Sequence, residues 1–293
     1  MNESHLLSLI ESRSQGLSLA GAELLVGPGD DAAVVRPLGG DWLVLTVDQL
    51  VEGRHYESGT ALDLVARKAV ARSVSDVAAM GAVPVWAMAT GLLPEGFQHG
   101  DELFAALHRW ANRLGCPLIG GDIASGPGPM SLTVTVCGRM EDGHEPKLRS
   151  GAQAGDEIWI TGPVGNSFAS GWHLNFEPRV QVGRAASALA DVHAMIDLSD
   201  GLGRDAGRVG RASGATLEID AARIPLREGA SDWRTAIGDG EDYELLIVGR
   251  DLAGKLEGLI GPIGVVREGE PGAIVIDESG ERHDVNSLGW DHS

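Results

Sequence analysis

Carboxylates recur at glycine-rich junctions along this chain. The first junction is Gly27-Pro28-Gly29-Asp30-Asp31-Ala32-Ala33-Val34-Val35, where two adjacent acids follow a Gly-Pro-Gly turn and precede an apolar run. Alone, it reads as an acidic turn ahead of a strand. Similar junctions carry Asp48, Asp76, Asp122, Asp197 and Asp200, and a further one is Gly238-Asp239-Gly240-Glu241-Asp242. Neighbouring carboxylates repel unless cations or solvent screen them, and glycine lets the backbone approach a ligand closely. Scattered oxygen donors suit Mg2+, which keeps several waters and bridges to substrate phosphates. Phosphoryl transfer to an anion needs charge neutralisation and in-line positioning more than a strong base. The set therefore reads as a site that gathers several hard cations for that chemistry.

The elements that must carry these acids follow from apolar patterning. Trp42 to Val51 reads as a strand bearing Asp48, followed by Glu52-Gly53-Arg54-His55, and His55 is the histidine singled out. Thr60-x-x-Asp63 resembles a capping box. Leu62, Val65, Ala66, Ala69 and Val70 then recur at helical spacing, giving a helix to about Ala79 with Ser73, Ser75 and Asp76 late in its course. Asp76 sits among Val74, Val77 and Ala78, an odd setting for a solvated acid. Val85 to Leu93 reads as a strand, Asp101 to Leu114 as an amphipathic helix, and Leu118 to Asp122 as a strand entering a Gly-Asp turn. Ser131 to Val136 is a further strand. A short helix is expected around Leu6, Leu7 and Ile10.

From Glu141 to Asp156 the chain turns polar and glycine-rich, which divides it into residues 1–142 and 143–293. The second half opens with a strand at Glu157 to Thr161 and continues with a helix over Gly183 to His193. Ala194 to Gly201 then reads as a short strand that delivers Asp197, Ser199 and Asp200 into a turn before a helix over Leu202 to Ala212. Such a turn offers free backbone N–H groups to phosphate. Strands follow at Ala215 to Ile219, Tyr243 to Val248, Ile263 to Val266 and Ala273 to Ile276. Each half is an α/β or α+β unit.

Bulk properties narrow the function. At 293 residues the chain suits two domains, each able to bury a core. A formal charge of −19 argues against nucleic acid and anionic membranes as partners. Only three lysines occur, Lys68, Lys147 and Lys255, so an anionic substrate must be held by metals, arginines and backbone N–H groups. The two cysteines, Cys116 and Cys137, make no disulfide framework and fit a reducing cytoplasm. The opening Met1-Asn2-Glu3-Ser4-His5 does not read as a signal peptide. The uncharged stretch from Val77 to Pro94 is broken by Gly81, Pro84 and Gly91, so it reads as a helix end, a turn and a buried strand rather than a membrane span. There is no Walker A loop, dinucleotide fingerprint, EF-hand, G-x-S-x-G elbow or H-E-x-x-H.

Several longer motifs occur in order along the chain. They are Gly-Asp-Asp-Ala-Ala-Val at 29–34, Asp-Gln-Leu-Val-Glu-Gly-Arg-His at 48–55 and Ser-Asp-Val-Ala-Ala-Met-Gly-Ala at 75–82. Leu-Ile-Gly-Gly-Asp at 118–122, Arg-Ser-Gly-Ala at 149–152, Ile-Asp-Leu-Ser-Asp-Gly-Leu at 196–202, Gly-Glu-Asp-Tyr-Glu-Leu at 240–245 and Gly-Trp-Asp-His at 289–292 continue the set. Together these motifs resemble the thiamine-monophosphate kinase family, and the resemblance spans nearly the whole chain. It implies an N-terminal α/β domain that dimerises through its strands, a C-terminal α+β domain, and a cleft between them for ATP and thiamine phosphate. The implied reaction moves the γ-phosphate of ATP directly to thiamine phosphate, with no phosphoenzyme.

By that resemblance Asp30, Thr46, Val47, Asp48, Asp76, Asp122, Asp197 and Asp200 stand at the metal positions. Gly121, Asp122, Arg149 and Ser199 stand at the ATP positions, and His55, Glu241 and Trp290 at those for thiamine phosphate. Of the adjacent pair, Asp30 is the expected ligand and Asp31 the residue that shapes the turn or stands behind it. The chain departs from the family pattern at Val47, where threonine is usual, at Ser73, where asparagine is usual, and at Asn166, where aspartate is usual. The wider superfamily includes ATP-using ligases and cyclases, which form the alternative reading. A non-catalytic metal-binding protein is a third.

Overall fold

The computed structural model describes residues 16–290, together with 6, 9, 10 and 12–14. The helix expected around Leu6, Leu7 and Ile10 is therefore only partly covered, and Asp291 and His292 of the terminal motif lie outside the described residues.

The first half builds a six-stranded sheet. Its elements are β1 (Ala22–Val26), β2 (Ala33–Pro37), β3 (Leu43–Val51), α1 (Leu62–Ala79), β4 (Val83–Pro94), α2 (Gly100–Arg113), β5 (Leu118–Gly126) and β6 (Ser131–Arg139). The strand order is β1-β2-β3-β6-β4-β5. All pairs are antiparallel except β4 with β5, which run parallel because α2 connects them. On β3 the side chains of Val44, Thr46 and Leu50 are buried, while Val47 is 63% exposed. One face of the sheet is thus covered by helices and the other is open, as period-two alternation requires.

The second half builds a seven-stranded sheet. Its elements are β7 (Glu157–Ile160), α3 (Trp172–Asn175), α4 (Val180–Ser187), β8 (Val192–Asp197), α5 (Leu202–Ser213), β9 (Thr216–Asp220), α6 (Trp233–Asp239), β10 (Leu245–Gly249), β11 (Ile260–Arg267), β12 (Gly272–Ile276) and β13 (Arg282–Asp284). The order is β13-β12-β9-β11-β7-β10-β8. Every residue of β10 is buried, consistent with an interior strand, between β7 and β8, covered on both faces. The fold is a mixed α/β architecture with two sheets. Among the described residues no helix is long and apolar enough to cross a membrane.

Helix α1 joins the halves. From Val65 to Ala79 every residue except Asp76 is buried, the pattern of a helix enclosed on all sides. Val65, Val70, Val74 and Val77 pack into the core of the first sheet. Ala71 meets Phe176 and Tyr243, and Ala79 meets Trp159, Met195 and Leu245. Alanines permit this close approach, and so does Gly183 of α4, where an added Cβ would stand 2.0 Å from the Ala78 carbonyl oxygen.

Local differences from the sequence reading have local causes. Thr60 does not cap α1; its hydroxyl donates to the Glu57 carbonyl at 2.7 Å, and the N-cap is Ala61. Asp63 instead accepts from Trp110 Nε1 at 2.8 Å and from Arg109 of α2. The helix expected over Gly183 to His193 ends at Ser187, because Val192 and His193 enter β8, whose Val192 pairs with Gly249 of β10. Asp122 lies inside β5 rather than in a turn after it. Helix α6, capped by the Asp232 carboxylate on the Thr235 N–H, was not legible between glycines and acids.

Candidate active site

Three carboxylates meet where the two halves touch. Asp31 comes from the turn before β2, Asp76 from α1 and Asp197 from the end of β8. Each offers an oxygen within 4.8 Å of the others. Thr46 Oγ1 donates to Asp76 Oδ2 at 2.5 Å, and Ser75 Oγ donates to Asp197 Oδ2 at 2.6 Å. Asp31 Oδ2 is buried and has no hydrogen-bond partner. Burial pushes the Asp76 and Asp197 carboxyls well above the usual range, and neighbouring acids push them further: chiefly Asp48 for Asp76 and Asp31 for Asp197. Burying like charges together is unfavourable for a chain on its own. The arrangement stores a demand for positive charge.

Arginines meet part of that demand. Arg149 donates from Nη2 to Asp31 Oδ1 at 2.6 Å, and its backbone N–H reaches the Asp30 oxygens at 3.1 and 3.3 Å. Burial, then the charge of Asp31, raises the Asp30 carboxyl to about 6. The carboxylate cluster thus takes in Asp31, while Asp30 sits beside it on the Arg149 backbone. Asp48, partly exposed on β3, lies 3.6 Å from Arg72. Asp200 pairs with Arg208, which also holds the fully buried Asp205 at 2.6 Å. Asp205 accepts the N–H groups of Asp200 and Gly201 at 3.0 and 3.1 Å, and so fixes the turn into α5. Its carboxyl is raised to about 7, with burial the largest cause and Arg208 opposing. Asp31, expected only to shape the turn or stand behind Asp30, joins the cluster itself; Asp205 and Arg208, in the first turns of α5, escaped the sequence reading.

The segments after β8 and before β10 run side by side. Glu241 N–H donates to Ser199 O at 2.7 Å, Tyr243 N–H to Leu198 O at 2.8 Å and Leu198 N–H to Glu244 O at 2.8 Å. Ser199 and Glu241 are therefore neighbours. Glu241 adopts φ +59°, a left-handed conformation unusual for a side chain with a Cβ. Its carboxylate pairs with Lys68 of α1, which is wholly buried. His55 is buried nearby, and its Nδ1 accepts the Val51 N–H at 2.9 Å. Trp290 is held by its backbone N–H on the Asp200 carbonyl at 2.9 Å and leaves its ring partly exposed.

Other expected residues lie apart. The Val47 side chain points to the open face of the sheet, opposite Thr46 and Asp48, so it brings no oxygen to the cluster. Asp48, Val134, Ala89 and Gly121 form one row across β3, β6, β4 and β5. Three strand spacings put Gly121 about 14 Å from Asp48. Asp122 is in the next row, aligned with Gln49 on the face opposite Asp48. Gly121 and Asp122 line a cavity of 890 Å³ with Phe104 and His108 of α2. Gly121 packs so tightly on β4 that an added Cβ would stand 1.9 Å from Ala89 O. Ser73 donates to Val134 O at 2.9 Å and is turned into the sheet. Asn166, at φ +54°, donates its side-chain amide to Glu228 O at 2.7 Å, a turn-forming part.

Comparison with known proteins gives a consistent picture. Residues 29–140 match the family model described as AIR synthase related protein, N-terminal domain. A thiamine-monophosphate kinase of Rhodopirellula baltica is 32% identical over 268 residues, covering 83% of this chain and 81% of the relative. One from Salmonella typhimurium is 35% identical over 272 residues, covering 82% and 81%. Among solved structures, AaThiL complexed with AMPPCP and TMP superposes with a TM-score of 0.85 at 27% identity, covering 100% of this chain and 97% of that one.

Proposed function

The chain belongs to the thiamine-monophosphate kinase family, and on that premise we propose that it transfers the γ-phosphoryl group of ATP to thiamine phosphate, giving thiamine diphosphate and ADP. The observation that carries this reading is the close group Asp31, Asp76 and Asp197. Its all-oxygen donors and the unpartnered Asp31 Oδ2 fit Mg2+. Asp30, Asp48, Asp76, Asp197 and Asp200 would hold the ions together with Asp31 and the Thr46 hydroxyl. Val47 could contribute only through its backbone, and the part of Asp122 rests on the family pattern. Bound there, Mg2+ supplies neutralisation of the phosphate charge.

The chain's own residues do the rest. Arg149 and the Ser199 turn hold the nucleotide phosphates, and the part of Gly121 and Asp122, which lie apart on β5, rests on the family pattern. His55, Glu241 and Trp290 orient the acceptor, the Trp290 face suiting its cationic thiazolium ring. An acceptor phosphate oxygen attacks the γ-phosphorus in line, a new P–O–P bond forms, and the bond to the ADP oxygen breaks. The acceptor oxygen is already anionic near neutral pH, so no protein base is needed.

We assign residues 1–142 to an N-terminal metal- and nucleotide-binding domain and residues 143–293 to a C-terminal domain. We also infer a homodimer. Val47, Met88 and Leu92 stand exposed on the open sheet face, and such a patch on a single chain favours association. Cytoplasmic placement fits the ATP requirement and the two free thiols. The test is direct: incubate the purified protein with ATP, Mg2+ and thiamine phosphate and separate the products. Equimolar ADP and thiamine diphosphate are expected. ADP without thiamine diphosphate would point to another ATP-dependent reaction of the superfamily.

A further inference from the structure

Lys68 is the most deeply buried charge in the chain's long central helix, with no exposed surface. An ammonium has three N–H donors, and three separate segments face this one with two hydrogen-bond acceptors and an ion-pair partner. They are the His55 carbonyl at 2.5 Å, His173 Nδ1 at 2.9 Å and the Glu241 carboxylate Oε2. His55 follows β3, His173 belongs to α3, and Glu241 sits in the left-handed turn before β10. His173 in turn stacks on Phe168, with ring centroids 4.0 Å apart and planes 14° from parallel. Burial and the Lys68 charge hold the His173 imidazole down at about 4, so it is neutral and free to accept.

Folding alone gives little reason for this tripod. Taking an ammonium and a carboxylate out of water costs several kcal/mol, and apolar replacements of buried ion pairs are often neutral or stabilising. A left-handed glutamate adds strain that persists only where its surroundings over-determine it. Two of the three tripod feet, His55 and Glu241, are the residues assigned above to the acceptor. We propose that Lys68 is a positioning residue for the acceptor: it fixes the Glu241 carboxylate by Oε2 and the His55 turn by its carbonyl, leaving Glu241 Oε1 to accept from the amino group of the aminopyrimidine of thiamine phosphate. This rests on the kinase reading.

The charged and titratable groups facing Lys68 are Glu241 from the turn before β10, His173 from α3 and Arg72 from its own helix. Burial lowers the Lys68 ammonium to about 8, with Glu241 opposing and Arg72 assisting. The tripod is therefore charged at neutral pH and loses its proton as pH rises past about 8.

The experiment is steady-state kinetics of the full chain, Lys68→Met and Glu241→Gln, singly and combined. Lys68→Met should raise KM for thiamine phosphate at least tenfold while KM for ATP stays within twofold. The double variant should be no worse than the poorer single variant. In the wild type, KM for thiamine phosphate should climb between pH 7.5 and 9, and in Lys68→Met that climb should vanish. An unchanged KM in Lys68→Met, with only a shifted melting temperature, overturns the proposal. If that variant fails to fold, a flat wild-type KM across the same pH range overturns it, and a climb that Glu241→Gln abolishes supports it. A wild type that makes no thiamine diphosphate defeats the kinase reading and this proposal with it; an active wild type with an indifferent Lys68 defeats the proposal alone.

Discussion

Replacing Asp76 by asparagine tests the central claim about the carboxylate cluster, because it keeps shape and removes charge. Oxygens within 4.8 Å of one another repel by about 3 kcal/mol per ionised pair at an effective dielectric near 20. Burial first, and then this repulsion, favours proton uptake and holds the Asp76 carboxyl well above its usual range. A group whose folded pKa is raised gives its full stability below the unfolded value, near 4, and loses it as pH rises through the folded value. The metal-free wild type should therefore lose stability from this source as pH climbs from about 4 towards neutrality, and Asp76→Asn should lose less. At pH 7 in a chelator the variant should be more stable by on the order of 1–2 kcal/mol, a melting rise of roughly 2–4 °C per kcal/mol. Millimolar Mg2+ should raise the wild-type melting temperature and barely move that of the variant. Turnover should fall by about 10³, the scale of losing a main charge-stabilising contact. Differential scanning calorimetry in chelator and in Mg2+, with ADP release as the activity readout, gives all four numbers. A variant that turns over near the wild-type rate, or melts lower without metal, would refute the reasoning.

Val47→Thr should leave the Mg2+ dependence of turnover unchanged within twofold, since the side chain at 47 points to the open face; a clear fall in the Mg2+ needed for half-activity would contradict that orientation. Met88→Glu places a charge on the same open face and should convert a dimer to a monomer by light scattering, whereas a dimer that persists would move the interface elsewhere. Gly183→Ala forces a Cβ to within 2.0 Å of the Ala78 carbonyl. It should cost about 1–3 kcal/mol in denaturant unfolding as α4 is pushed off α1, and a neutral result would mean the two helices are not locked together there.

The parts of the site legible in the sequence are those whose chemistry is local. Asp76 stood out as a carboxylate inside an apolar helical pattern, and the Asp197-Leu198-Ser199-Asp200 turn announced itself by following a short apolar strand. The strands β3, β6 and β10 followed from apolar runs. What stayed hidden depends on long-range assembly. Whether Asp30 or Asp31 enters the cluster depends on how the Gly29 turn, at φ +122°, meets Arg149, 118 residues on from Asp31. Lys68 could be noticed only as a lysine amid valines and alanines; its His173 partner lies 105 residues away. Gly120, Gly121 and Asp122 read as a turn by composition, yet pairing with β4 carries the strand on to Gly126. Tertiary pairing overrode local propensity there, as it does at Val192.

These pieces converge on α1. Lys68, Ser75 and Ala79 recur at spacings of seven and four, so they lie along one stripe facing the second half, with Arg72 between them reaching Gln49 O and Asp48 of β3. Lys68 meets Glu241 at one end of the stripe, and Ser75 meets Asp197 near the other, beside Asp76. Eight residues of helix separate Lys68 from Asp76, about 12 Å at 1.5 Å per residue. A phosphorylated heterocycle held by its ring at the Lys68 end and by its phosphate at the Asp76 end has its reacting oxygen placed by the length of a rigid helix. That accounts for a helix enclosed on all sides and lined with alanine. A millimetre-scale analogy is a gauge block: the spacing is fixed by what cannot flex, so that two weakly specified loops, around His55 and around Glu241, inherit their separation from the carboxylates through α1 rather than having to encode it themselves.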